Sequence, residues 1–241
     1  IRTFEKIRVV AFNSNRSKLA ESFGYIPGLS YEFAMMVRIM IQREGKPSVI
    51  ESQEYLAIAY YTLQFKLMKD PALQDVPVVL ILHSPAFLYL YYNREGIYEF
   101  PNYWTGELEM SCIRAADHVI APSQYIVDEI SKHIDLSGVP VTVVRNPYRF
   151  NDSAVKSQVK RNRIVFFGKL SPQKGVFEMF RYFKALWDSG ADYVLEVVGG
   201  MDKVYYPEMK TMGQLIEQRY ASYIKLGRVI FHGQITPAQK D

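Results

Sequence analysis

Cysteine is almost missing from this chain: Cys112 is the only one in 241 residues. No disulfide can form within it, which excludes a small stapled secreted scaffold and favours a reducing, cytoplasmic setting. Long apolar runs are missing too. The longest, Val76 to Leu82, is broken by Pro77 and falls well short of the roughly 18–20 residues that span a bilayer. It fits a buried strand instead. The N-terminus lacks the basic, apolar and small-residue regions of a signal peptide. The chain opens at Ile1 rather than Met, so processing or truncation upstream stays open.

Charge of one sign is scarce. The net charge is +4, compatible with a nucleotide diphosphate or an anionic membrane surface but far from a strongly basic protein. The one local basic run, Lys156, Lys160, Arg161 and Arg163, reads as a solvated linker. No zinc-finger spacing and no RNA-binding aromatic motif is present, so nucleic acid is not an expected partner. The sequons at Asn15 and Asn151 carry little weight without a signal peptide.

What the chain does have is apolar material, 49% of its residues, arranged in a regular alternation. Short β-branched runs are expected as strands at Ile7–Phe12, Ser48–Glu51, Pro77–Leu82, His118–Ala121, Val141–Val144, Arg163–Phe167, Tyr193–Val198 and Arg228–Phe231. Most are continuously apolar, as strands covered on both faces must be. Helical stripes lie between them. Ile126, Ile130 and Ile134 follow Ser123, a good N-cap, and Val176, Phe180, Phe183 and Trp187 end near Gly190. Strand–helix alternation predicts an α/β protein with parallel sheets.

The pattern lapses in a polar stretch, which divides the chain into a Rossmann-like domain at 1–148, a linker at 149–162 and a second α/β domain at 163–241. The second has only three strand candidates. Thr236-Pro237 reads as a helix start, but the sequence stops at Asp241, so the second domain is expected to be incomplete; a naturally short domain is the alternative.

In parallel sheets ligands gather at the carboxyl ends of strands. That rule selects Ser52–Tyr55, His83-Ser84-Pro85, Gly168–Gly175 and Gly199-Gly200. The loop Gly168-Lys-Leu-Ser-Pro-Gln-Lys-Gly175 stands out because it brings two lysines to a helix N-terminus, a combination suited to a diphosphate. It is neither a Walker A sequence nor a GxGxxG fingerprint.

Together with Arg163–Phe167 before it, this loop resembles the donor-loop motif of glycosyltransferase family 4, a group of retaining enzymes: an apolar strand followed by G-[RK]-L-x-x-x-K-G. The resemblance extends, in the family's order, to the His83 loop, Ala115–Ser123, Val141–Asn146 and Tyr193–Gly200. It implies a GT-B fold and transfer of a sugar from a UDP- or GDP-sugar to a glycan, glycolipid or other acceptor, with retention of configuration and normally without a metal or other cofactor. Lys169 and Lys174 would hold the diphosphate, with Gly168, Gly199 and Gly200 allowing close backbone approach. His83, carried by the first domain, would face the donor sugar.

Ser123 and Asn146 lie at strand ends where capping explains them equally well. Glu54 and Tyr55 are acceptor-side candidates, with capping an alternative for Glu54. Tyr89 belongs to an aromatic stretch, Phe87–Trp104, that fits either core packing or an acceptor site; peripheral membrane contact is a further reading.

Departures from the family pattern are Lys169 where arginine is frequent, Asn146-Pro147 in place of Asn-Gly, an unrecognisable glycine-rich first loop and no E-x7-E segment before Asp241. A nucleotide-sugar epimerase and a non-catalytic subunit of the same fold stay open as alternatives. An oxidoreductase is disfavoured by the missing glycine fingerprint.

Overall fold

The computed structural model describes residues 2–4, 6–12, 18–148 and 160–236. The chain divides into two compact units, one of residues 1–89 and 97–147, the other of 90–96 and 148–241. A boundary drawn along the sequence gives Leu90–Gly96 to the first domain; the structure groups that segment with the second unit.

The first unit is built on a four-stranded parallel sheet of β3 (Ile50–Gln53), β4 (Val78–Ile81), β5 (His118–Ala121) and β6 (Val141–Val143), in that order. The inward residues Val78, Leu80, Val119 and Ala121 are fully buried, and Leu63, Ile113 and Ile130 close over them from helices α3 (Tyr60–Leu67), α5 (Asn102–Ala115) and α6 (Gln124–Ser131). Each such aliphatic side chain contributes about 1.5–3 kcal/mol by leaving water. Two further helices, α1 (Leu19–Phe23) and α2 (Tyr25–Glu44), pack against each other, and α2 lies on α3. Cys112 is buried in the same core, and burial pushes its thiol well above the usual range, which leaves it unreactive.

One expected strand behaves differently. Ile7–Val9 (β2) is not part of the parallel sheet but pairs antiparallel with Arg2–Phe4 (β1) in a two-stranded ribbon. The reason is visible in Ile7-Arg8-Val9, which alternates rather than running apolar throughout; Ile7 and Val9 are both exposed. Ile50–Gln53 also sits two residues later than expected, so the loop it feeds begins at Glu54.

The second unit carries a three-stranded parallel sheet in the order β11 (Val229–Gly233), β8 (Val194–Val198), β7 (Arg163–Phe167). Helix α7 (Val176–Asp188) lays its stripe of Val176, Phe180, Phe183 and Trp187 on Leu195 and Val197, and Met212, Leu215 and Ile216 from α8 (Met212–Arg219) complete the core. Trp187 stacks on Tyr223 with ring centroids 4.9 Å apart and donates its Nε1–H to the Tyr193 carbonyl at 2.8 Å. A two-residue hairpin pairing, β9 (Val204–Tyr205) with β10 (Lys210–Thr211), has no apolar signal in the sequence. It ends in Thr211, whose side chain forms a capping box with Gln214 at the start of α8. Ser123 occupies the N-cap position of α6 but makes no capping bond with its side chain. The helix start expected at Thr236-Pro237 and most of the linker lie outside the described residues.

Candidate functional site

The carboxyl edge of the second unit's sheet is laced together by main chain. The Gly168 amide donates to the Val198 carbonyl, Leu170 to Gly200 and Gly199 to Gly233, each at 2.8 Å. Three turns are thereby drawn into one surface. The lacing dictates glycine at position 199: a Cβ there would stand 2.0 Å from the Gly168 carbonyl oxygen, and the backbone has φ +148°.

From this surface the chain enters a short 3₁₀ turn, Pro172–Lys174, introduced by the extended, buried Ser171. Gly175 then takes the left-handed conformation, φ 70°, and the helix α7 begins. Leu170 and Val176 are fully buried on either side of the turn, so the loop between them is fixed at both ends. The first-turn amides of α7 precede its first internal bond, from Met179 to the Gly175 carbonyl.

The side chains of Lys169 and Lys174 are both exposed and, among the described residues, form neither an ion pair nor a hydrogen bond. Both lysines thus stand without a carboxylate partner on the loop that joins β7 to α7. The structure brings Gly168, Lys169, Gly199 and Gly200 to one edge, with Lys174 at the end of the turn that follows. Gly199, Gly200, Met201, Asp202, Gly233 and Gln234 line a cleft of about 450 Å³ there. Asp202 and Gln234 went unnoticed in the sequence, although Gln234 follows a strand end that the carboxyl-edge rule would select.

A second cleft of about 420 Å³ within this unit is lined by Tyr91, Tyr92, Arg94, Pro172, Phe177 and Glu178. Arg94 donates to the Tyr205 hydroxyl at 3.0 Å, and Glu95 pairs with Lys203. These contacts tie Leu90–Gly96 to the second unit.

The carboxyl edge of the first unit is organised by buried acids. Glu54, directly after β3, is fully buried, and its Oε1 accepts the amides of both His83 and Ser84 at 2.7 Å. Its carboxylate is therefore turned to the main chain rather than to solvent. Glu109 on α5 is also fully buried; it accepts Leu56 N–H at 2.9 Å on Oε1 and Phe87 N–H at 3.3 Å on Oε2. Burial raises the Glu109 carboxyl to about 7; bonds from Ala86, Leu56 and Phe87 oppose the rise, and the charge of Glu54 adds to it.

The segment held by Glu109 contains two successive left-handed residues that are not glycine, Leu56 at φ 59° and Ala57 at φ 49°. Such residues cost roughly 1–2 kcal/mol each, and the buried acceptor stabilises them where they are. His83 emerges from this framework with an exposed side chain. Tyr55 is exposed, and Tyr89 is half-buried on helix α4 (Ala86–Asn93).

Glu109 was missed in the sequence. The available signal was its place in the buried stripe Thr105, Leu108, Cys112 and Ile113, where an acid demands a partner.

A profile described as Glycosyltransferase Family 4 matches residues 6–150. The chain belongs to Glycosyltransferase Family 4. The match covers the first unit with the buried acids, while the lysine-bearing loop of the second unit lies outside it. Among solved structures, this family member is similar to the apo form of the lipopolysaccharide outer core galactosyltransferase WaaB, with a TM-score of 0.52 and 16% identity, covering 93% of this chain and 53% of that one. It is also similar to Arabidopsis thaliana UGT89C1 complexed with UDP-L-rhamnose, with a TM-score of 0.45 and 11% identity, covering 98% of this chain and 54% of that one. The chain therefore spans about half the length of either structure. No curated protein matches it by sequence. The fold is α/β of the GT-B type, each unit built on a parallel sheet.

Among the described residues no helix is long and apolar enough to cross a membrane.

Proposed function

We propose that this chain is the greater part of a retaining glycosyltransferase that takes a UDP- or GDP-sugar and passes the sugar to a glycan or glycolipid acceptor. The observation that carries this reading is the pair of unpartnered ammonium groups, Lys169 and Lys174, on a loop locked to the carboxyl edge of the second unit's sheet. A nucleoside diphosphate leaving group gains negative charge as its bond to the sugar breaks. Fixed cations and first-turn amides of α7 then bind the breaking state more tightly than the intact donor, which is what lowers a barrier. The glycine turns let phosphate oxygens approach the main chain. Asp202 sits on the same surface and offers an acceptor to sugar hydroxyls rather than to phosphate.

His83 is assigned to the same reaction on the strength of the family resemblance. Its exposed ring is free to act while Glu54 holds its backbone. Tyr55 and Tyr89 remain the acceptor-side candidates.

The test is calorimetry with UDP and with GDP, without added metal, on this chain and on Lys174→Ala. A lost charge-assisted hydrogen bond is worth about 1.5–3 kcal/mol, so the variant should bind about 10–100-fold more weakly while melting at the same temperature. Equal affinity in the two proteins would remove the diphosphate from this loop. Retention is checked separately, by NMR assignment of the anomeric configuration of the product.

A further inference from the structure

In the sequence, Asn93-Arg94-Glu95 stands between β4 and β5, two strands of the first unit, yet it belongs to the second unit and bonds there with all three side chains. Asn93 is fully buried at the end of α4. Its Oδ1 accepts the main-chain N–H of Gln173, and its Nδ2 donates to Oε1 of the same residue, each at 3.4 Å. Arg94 donates to the Tyr205 hydroxyl at 3.0 Å, and the Tyr205 ring meets Phe177 edge to face with centroids 5.1 Å apart. Glu95 pairs with Lys203, and each of these two side chains is only 12% exposed.

The partners lie on the two loops of the candidate edge. Gln173 sits in the turn Pro172–Lys174, immediately before Lys174, and Phe177 is the second residue of α7. Lys203 ends the segment that leaves the Gly199-Gly200 turn and passes Asp202, and its carbonyl accepts the Met212 amide at 2.8 Å. Asn93 and Arg94 therefore brace the loop after β7, and Glu95 braces the loop after β8.

Two features mark this grip as built to hold. Arg94 is left-handed at φ 56° although it is not glycine, a conformation that persists only where the surroundings fix it. The Glu95–Lys203 pair is largely removed from water, so losing either partner would strand a buried charge. What the grip can supply to Lys174 is a fixed starting point. A lysine side chain has several free rotors, and only the main chain from which it springs can be held in advance.

We propose that Asn93, Arg94 and Glu95 form a clamp that positions Lys174 for the diphosphate, with Asn93 as the principal positioning residue. The role of Lys174 rests on the reading above; the clamp rests on its own bonds. A turn held at Gln173 presents the ammonium group ready for the ligand. A turn released there has to be ordered on binding, and that ordering subtracts from affinity.

Amide hydrogen exchange and calorimetry on the full chain test the clamp together, with whichever of UDP and GDP the parent binds. In Asn93→Ala the Gln173 amide loses its acceptor and should exchange at least about tenfold faster, while amides in the middle of α7 keep the parent's protection. The nucleotide should bind about fivefold more weakly. In a Lys174→Ala background the same substitution should change affinity by less than about twofold, because it acts through that lysine. Asn93→Asp keeps an oxygen acceptor for the Gln173 amide and should restore both readings. Arg94→Ala, at an exposed position, should weaken binding by about twofold and be equally silent behind Lys174→Ala; it decides the matter if Asn93→Ala loses protection throughout α7. Unchanged exchange at Gln173 overturns the proposal. So does an equal loss of affinity with and without Lys174, or no loss in Asn93→Ala where Lys174→Ala shows one. If the parent binds neither nucleotide, or Lys174→Ala binds as tightly as the parent, the diphosphate reading fails instead, and exchange at Gln173 alone decides the clamp.

Discussion

The two carboxyl edges of this protein solve the same problem with opposite materials. In the first unit, side-chain carboxylates reach into the loops: Glu54 clamps His83 and Ser84, and Glu109 clamps Leu56 and Phe87. In the second, the loops clamp one another through the amides of Gly168, Leu170 and Gly199, and the charged side chains are left over. An edge held by acids has its negative charge buried and committed. An edge held by main chain keeps its cations exposed and available. On the function proposed above, the contrast accounts for a diphosphate site on the second unit rather than the first.

The comparison can be broken most severely at Gly199. Adding a methyl group there forces a collision with the Gly168 carbonyl and a disfavoured backbone, so Gly199→Ala should destabilise the second unit by about 3–5 kcal/mol in denaturant unfolding and abolish UDP binding. A variant that unfolds like the parent would show that the lacing is dispensable. Glu54→Ala is the corresponding break in the first unit. It strands two buried amides and should cost about 2–4 kcal/mol, with UDP affinity unchanged.

The pH dependence sharpens the contrast further. The Glu109 carboxyl titrates at about 7 in the fold against 4.5 as the ordinary value, so the folded state holds this proton more tightly than the unfolded chain. The stability it contributes is present below about 4.5 and is lost as pH rises through about 7, on the order of 3 kcal/mol for this group alone. Melting followed from pH 5 to pH 8 should show this decline, and Glu109→Gln should flatten it. An unchanged slope in the variant would place the titration elsewhere. The smallest effect belongs to Lys169→Arg, which should tighten UDP by about 0.5–1 kcal/mol in calorimetry through a planar two-pronged contact.

Much of this architecture could be read from the chain. The strands at 118–121 and 163–167 and the stripe of α7 are strong periodic signals, because each buries a full face and tolerates no polar interruption. The ribbon at Ile7–Val9 was misread because an apolar count overlooked Arg8 between the two apolar residues. Lys169 and Lys174 announce themselves through a local motif. Glu109 does not, since its partners, Leu56 and Phe87, are distant in sequence and meet it only after folding. The hairpin before α8 is held by backbone pairing and a cap, which leave no hydrophobic trace.

Cys112, sealed in the core with its thiol driven away from reactivity, has a practical consequence. Toward maleimides and iodoacetamides Cys112 should stay unlabelled for as long as the first unit is folded. A cysteine introduced at the exposed position 173, between the two lysines, would therefore be the reactive point of attachment among these residues, and a fluorophore placed there would register nucleotide arriving at the loop with both lysines retained.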